Sequence, residues 1–184
     1  GYYSNNTEFG GRGGRSAAVV NYEIAGHALN IEAPSGVVDI AGEAAGDSVT
    51  INTGDTANDS RIDGNVTVHE DPAKGIFTKQ GAGTLILEGD LAHETPDDPD
   101  SFTSQTNIDA GTLQIGDGGT TGSISSELIN LGDSATLAIS RDDAYTLDGQ
   151  ISDAPSVTTP GSVKIDATGG TITLSGDNNY TGDT

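Results

Sequence analysis

The octapeptide GTLILEGD at residues 83–90 recurs as GTITLSGD at residues 170–177, at a constant offset of 87 positions. In both copies apolar side chains alternate with threonine or another residue, and this period of two places one face of a strand against a core. The glycine after each strand allows a tight corner, and the aspartate beside it can hydrogen-bond the turn backbone. The octapeptide therefore predicts a short strand that ends in a corner.

The match continues after a gap, because FTSQT at residues 102–106 corresponds to YTGDT at residues 180–184. The first copy carries nine extra residues, around Ala92–Asp100. A repeat that tolerates such an insertion at a turn is typical of a coil with a loop that projects outward. This loop is the predicted partner-facing element, and its candidate residues are His93, Glu94, Asp97, Asp98, Asp100 and Phe102.

Similar short alternating runs, separated by Gly, Asp, Asn and Pro, extend along most of the chain. They are residues 17–20, 28–32, 37–40, 49–52, 65–68, 76–79, 84–88, 106–109, 112–115, 127–131, 136–140, 145–151, 162–166 and 171–175. No stretch of about ten residues with a helical hydrophobic period lies between them, and this excludes βαβ folds. The 27 Gly, 22 Thr and 16 Ser agree with an all-β chain, and the absence of Cys and Trp leaves stacked strands as its source of stability.

Stacking of such strands predicts a right-handed parallel β-helix, in which each coil pairs with the coils above and below at about 4.8 Å. At roughly 20 to 27 residues per coil, residues 17–184 would form about seven rungs. Residues 1–16 are predicted to be a flexible or irregular entry segment. Residues 17–184 form the β-helix, with repeat units at about 79–115 and 162–184.

The chain is strongly acidic, with a formal net charge of -21 from 28 acidic and 7 basic side chains. Nucleic acids and anionic membrane surfaces are excluded as partners, because both require basic patches. No apolar run approaches the roughly 20 residues of a membrane span, and residue 1 begins no signal peptide. The expectation is a piece excised from a longer secreted protein, and the absence of Cys suits export through an oxidising compartment.

Residues 79–87 (KQGAGTLIL) and 106–116 (TNIDAGTLQIG) resemble the autotransporter-associated β-strand repeat, and residues 170–184 resemble a second copy. The resemblance covers residues 79–184. The nine-residue insertion and Ser104, which replaces a glycine, depart from the family pattern. The resemblance implies a right-handed β-helix passenger of a bacterial autotransporter. Such a passenger is exported to the cell surface through an outer-membrane β-barrel fused downstream in the full-length protein.

Three functions fit this resemblance. The first is a non-catalytic adhesin or self-association module, whose flank presents Thr, Asn and Asp ladders to a host cell-surface or matrix molecule, or to another copy of the chain. The second is a structural stalk that promotes folding and secretion while the activity lies elsewhere. The third is a polysaccharide-degrading β-helix enzyme, for which Arg141-Asp142-Asp143 offers a carboxylate pair. The scarcity of basic residues and histidines favours a protein that is not an enzyme.

No cofactor is predicted. The histidines at positions 27, 69 and 93 are too widely spaced for an ordinary zinc site. Calcium is the alternative, because Asp55–Asp63, Asp97–Asp100 and Gly116–Gly119 offer oxygen ligands. None of these turns follows the EF-hand spacing or the nonapeptide of calcium-binding β-rolls.

Overall fold

The computed structural model describes residues 22–33, 36–40, 44–69, 75–93 and 104–184, and within these ranges it contains seventeen strands and no helix. The strands are β1 Tyr22–Ala33, β2 Asp39–Ile40, β3 Ala44–Thr53, β4 Ser60–Ile62, β5 Val66–Val68, β6 Ile76–Gln80, β7 Thr84–Leu87, β8 Asp90–His93, β9 Gln105–Ile108, β10 Thr112–Gly119, β11 Ser123–Ile124, β12 Leu128–Leu131, β13 Thr136–Arg141, β14 Tyr145–Leu147, β15 Gln150–Asp153, β16 Ser162–Ala167 and β17 Ile172–Leu174. The predicted entry segment and the predicted strand at residues 17–20 lie outside the described residues.

One face of the molecule is a six-stranded sheet in the order β2, β4, β7, β10, β13 and β16, which we call sheet I. Every pair of neighbouring strands in this sheet is parallel. One apolar residue of each strand stands in register with the next, and this ladder is Ile40, Ile62, Leu87, Ile115, Ile139 and Ile165. Successive members are 22, 25, 28, 24 and 26 residues apart, so each turn of the chain returns one coil further along the helix.

The long strands β1 and β3 each contribute to two further faces of the β-helix. The pairing register between them shifts between Ile24 and Ala28, where the chain turns from one face to the next. The first half of β3 pairs with β5, which continues to β8 and β11, and we call this sheet II. The second half pairs with β6, which continues to β9, β12 and β15, and we call this sheet III. The strands β14 and β17 form a separate parallel pair.

The prediction of an all-β parallel β-helix is confirmed. The number of rungs is lower than the predicted seven, since the six strands of sheet I define about five turns. The turns of sheet I take 22 to 28 residues, close to the expected length, so turn length does not account for the difference. It arises because the strands of sheet I extend only from Asp39 to Ala167, and the first predicted strand lies outside the described residues.

The core is a continuous column of aliphatic side chains from all three sheets, with Phe77 as a fully buried aromatic residue. In sheet III the core-facing ladder includes Ile51, Lys79 and Ile108, and Lys79 is completely buried. The Nζ atom of Lys79 donates to three backbone carbonyls, those of Gln80 (3.0 Å), Gly81 (2.7 Å) and Ala110 (3.0 Å). Burial lowers the pKa of Lys79 to about 8. The ammonium group is thus satisfied by the corner between sheets III and I.

That corner is built from stacked glycines. Gly111 has a φ of 68°, and a Cβ atom on it would lie 2.5 Å from the carbonyl oxygens of both Gly81 and Gly83 in the preceding coil. An L-residue is disfavoured at this φ, and a side chain would push neighbouring coils apart. The carbonyl of Gly111 accepts from Thr136 N (2.9 Å) and that of Gly83 accepts from Thr112 N (3.2 Å), so the corner also carries coil-to-coil hydrogen bonds.

The two copies of the octapeptide lie in different parts of the helix. Residues 84–87 form β7 in sheet I, whereas residues 172–174 form β17, which pairs with β14. The offset of 87 residues is not a whole number of turns, because three turns of sheet I, from Leu87 to Ile165, take 78 residues. The strand-and-corner unit is therefore compatible with more than one face of the β-helix.

Candidate interaction surfaces

The outward side of sheet III carries no charged residue from β3 to β15. Side chains that alternate with buried ones point away from the core there, and all are partly exposed. These residues, which we call the ladder face, are Ser48, Thr50, Asn52, Ile76, Thr78, Gln80, Gln105, Asn107, Leu128, Asn130, Gln150 and Ser152. The strands of this flank carry Thr, Asn and Gln among their outward residues, and the exposed Asp109 lies at the edge of the ladder face, directly after β9.

Hydrogen bonds between neighbouring side chains order the centre of the ladder face. The Nε2 atom of Gln105 donates to Asn107 Oδ1 (2.6 Å), and Asn130 Nδ2 donates to the same oxygen from the next strand (2.9 Å). At the edge, Gln80 Nε2 donates to Asp109 Oδ2 (3.2 Å). The amide groups are therefore held in defined orientations before any partner arrives, which reduces the entropy cost of binding.

The predicted loop begins directly after β8, and the structure places His93 on that strand. His93 is in register with the buried Val68 of β5 and is itself partly buried. Its Nε2 atom is hydrogen-bonded to Ser126 Oγ (2.8 Å), which is hydrogen-bonded to Thr106 Oγ1 (2.6 Å). The other five candidates, Glu94, Asp97, Asp98, Asp100 and Phe102, lie outside the described residues, so the partner-facing role of the loop stays a prediction.

The returning end of the loop is fixed to the same corner. Ser104 is buried; its Oγ accepts from Glu127 N (2.8 Å) and its carbonyl accepts from Leu128 N (3.0 Å). Together with the bond between His93 and Ser126, these contacts attach both ends of the segment to residues 126–128 of the next coil. The loop therefore has a rigid base.

Burial lowers the pKa of His93 to about 4, from its ordinary 6.5. As the pH falls, the unfolded chain therefore binds a proton on this side chain at a higher pH than the folded chain does. Stability is consequently lost as the pH falls from about 6.5 to about 4, by roughly 2 to 3 kcal/mol. We expect urea unfolding at about pH 7 and about pH 4.5 to show a larger loss for the protein than for a His93→Gln variant, which does not titrate. Equal losses would contradict this assignment.

One member of the carboxylate pair considered for an enzyme, Asp143, is held in an ion pair. Arg141 donates from Nε to Asp143 Oδ1 and from Nη2 to Asp143 Oδ2, each at 2.8 Å, and lies over the ring of Tyr145. The hydrogen bonds from Arg141 lower the pKa of Asp143, which keeps that carboxyl ionised. Arg141 also donates to the carbonyls of Thr120 (2.6 Å) and Gly122. The Arg141–Asp143 pair therefore fixes a turn.

Two of the aspartates considered for calcium, Asp55 and Asp117, accept hydrogen bonds from protein donors. Asp117 accepts from Arg61 Nη2 (2.8 Å), and Arg61 also pairs with Glu88. The Oδ1 atom of Asp55 accepts from the backbone N–H groups of Ala57 (2.8 Å) and Asn58 (3.1 Å). Across the described ranges no three acidic, histidine or cysteine side chains lie close enough to hold a metal ion together. The Asp97–Asp100 turn is outside the described residues.

Sequence reasoning named the loop but did not assign the uncharged residues of the ladder face. The signal lies in the alternation within the observed strands β3, β6, β9, β12 and β15, whose ladder-face residues are uncharged. The uncharged surface can be recognised only when the strand register places these positions side by side. In the part of the chain that the structure covers, no helix has the length and apolarity to cross a membrane.

Comparison with known proteins agrees with this architecture. Residues 77–115 and 169–184 match the family described as passenger-associated-transport-repeat. The chain is also similar to the adhesin BmaC autotransporter of Brucella suis biovar 1 (strain 1330), with 36% identity over 81 residues, which is 44% of this chain and 2% of that protein. No solved structure matches the chain.

Both matches point to a protein exported to the bacterial cell surface, and the matched repeats include the stacked glycine corner of the β-helix. This chain therefore carries passenger-associated transport repeats, the repeats of autotransporter passengers, at residues 77–115 and 169–184.

Proposed function

We propose that this part of the passenger is a non-catalytic adhesive surface, which binds a host cell-surface or matrix molecule or another copy of itself. The observation that carries the proposal is the ladder face, a run of twelve outward positions without charge on a chain with a net charge of -21. Such a face can approach a partner without burying unpaired charges. The similarity to an autotransporter named as an adhesin supports the same function.

The loop between β8 and β9 is the second element of this proposal. The described residues on either side of it, His93 at the end of β8 and Ser104 before β9, are hydrogen-bonded to the next coil, and four acidic residues at positions 94–100 lie between them in the sequence. A loop on a regular scaffold is a common place for recognition, because it varies without disturbing the core. We propose that residues 94–102 contact the partner.

The test is attachment of inert beads that carry the chain to host cells and matrix proteins, and clumping of the beads with one another. A deletion of residues 94–100 removes the loop but keeps Ala92 and His93, which pair with Thr67 and Val68 in β5. In a second variant, a Gly/Ser segment of equal length replaces residues 94–100. This variant keeps the length of the loop and removes its side chains. We expect both changes to reduce attachment or clumping by about tenfold while the fold persists.

Attachment and clumping that are unchanged in both variants would contradict the role of the loop. Beads with the intact chain that neither attach nor clump would contradict the adhesive function itself. Incubation of the chain with polygalacturonate and similar polymers tests the enzymatic alternative, and new reducing or unsaturated ends would overturn the non-catalytic assignment.

A structural stalk is the second candidate function, and the glycine corner favours it. The family match at residues 77–115 includes Gly81, Gly83 and Gly111, whose contacts serve coil stacking. If the segment acts only as a stalk, its removal from the full-length passenger would reduce the amount exported and leave the adhesion of each exported molecule unchanged.

A further inference from the structure

The ladder face is the place where two copies of this chain can meet with the least electrostatic repulsion. Each copy carries a net charge of -21, so two copies repel at most orientations. Sheet I presents charged side chains, among them Arg61, Lys164 and Asp166, and β8 of sheet II begins with the exposed Asp90. Only sheet III, among the described faces, offers five strands without an outward charge.

The chemistry of the ladder face is self-complementary. Six of its twelve residues are amides: Asn52, Gln80, Gln105, Asn107, Asn130 and Gln150. An amide side chain both donates and accepts hydrogen bonds, so the same patch can bind itself across a two-fold axis. The contacts that orient Gln105, Asn107 and Asn130 use only part of their hydrogen-bonding capacity, which leaves donors and acceptors for a partner.

Two apolar side chains accompany the amides. Ile76 and Leu128 occupy one column of the ladder face, separated by Gln105, and both are partly exposed. Their contact with a second copy would remove apolar surface from water. A second copy of the ladder face can match both kinds of side chain, because it offers apolar residues for packing and amides for hydrogen bonds.

We propose that the ladder face is an isologous contact between two copies of this chain. The inference rests on the proposed adhesive function and narrows its partner to a second passenger. Five strands at about 4.8 Å spacing span only about 19 Å, so one contact is smaller than the roughly 800 Å² per partner of a stable dimer. Single pairs are therefore weak, and cohesion arises when many copies are displayed on one surface.

The salt dependence follows from the net charge. Two strongly acidic chains repel over the Debye length, which shortens as salt is added. Beads that carry the chain should therefore clump more at about 150 mM salt than at about 20 mM salt. Clumping held together by attraction between opposite charges would show the reverse dependence and would overturn the proposal.

The decisive variants place charge on the ladder face. Thr78→Asp combined with Asn130→Asp adds two negative charges there, and we expect the clumped fraction to fall about tenfold. Thr67→Asp combined with Thr146→Asp adds the same charge on other strands, and clumping should change by less than about twofold. Circular dichroism and thermal unfolding confirm that each variant is folded.

A charge-exchange experiment keeps the proposal testable if the double variant does not fold. Beads that carry Asn130→Asp should join beads that carry Asn130→Lys, while the Asn130→Asp beads should clump less than unmodified beads. Ladder-face variants that clump like the unmodified chain would overturn the self-contact. Beads that attach to host cells but never clump would also overturn it, and would leave the proposed adhesive function standing.

Discussion

Replacement of Gly111 with alanine is expected to lower the free energy of unfolding by about 4 kcal/mol. The φ of 68° is unfavourable for alanine, and its Cβ would lie 2.5 Å from two backbone oxygens, those of Gly81 and Gly83. Neither oxygen belongs to a flexible side chain, so the clash is relieved only when neighbouring coils separate. Urea unfolding followed by circular dichroism measures the loss.

Gly118 provides the matched control. Its φ of 80° is equally unfavourable for alanine, but a Cβ atom there meets nothing within 4 Å. The Gly118→Ala change should therefore cost only about 1 kcal/mol, the part that comes from the backbone conformation. Equal losses in the two variants would show that coil contact at Gly111 adds nothing, contrary to the stacking described here.

Lys79→Ala is the second change for which we expect a large effect, a loss of about 3 to 4 kcal/mol in the free energy of unfolding. The substitution leaves a cavity in the core and removes the donor from the carbonyls of Gln80, Gly81 and Ala110. The buried ammonium is itself costly, as the pKa of about 8 shows, and its loss offsets part of the effect.

Two further variants separate the contributions at this position. Lys79→Met retains most of the volume without the ammonium, so it should lose less than Lys79→Ala. Gln80→Ala alters an outward neighbour and should change the free energy of unfolding by less than about 0.5 kcal/mol. A Lys79→Ala variant as stable as the unmodified protein, measured by urea unfolding, would refute the role of Lys79 at this corner.

The fold was predictable because most strands carry an alternation of apolar and polar residues. This pattern can be recognised in the sequence of a single coil, without knowledge of the pairing between coils. The run at residues 112–115, for example, corresponds to the start of β10, with Leu113 and Ile115 in the core. The short strands β4, β8 and β11 were missed. Each has too few apolar residues to show a period of two, and each is defined by pairing with neighbouring coils.

The sites were harder to predict than the strands, because they depend on register. Lys79 belongs to a predicted strand, yet its charge gave no reason to place it in the core beside Phe77. His93 was assigned to a loop because it follows the matched octapeptide, whereas pairing with Val68 makes it the last residue of β8. The ladder face combines residues from five coils, and no single segment contains enough of it to be recognised.

The fixed base of the loop between β8 and β9 also has a mechanical consequence. A partner that binds this loop pulls on the chain through β8 and β9, which are hydrogen-bonded to the coils on both sides. A pull along these strands would load the hydrogen bonds to two neighbouring coils at once, in shear. The same pull on β17 would load only the bonds between β17 and β14. A tether in the middle of the helix should therefore resist such a load better than one at its end.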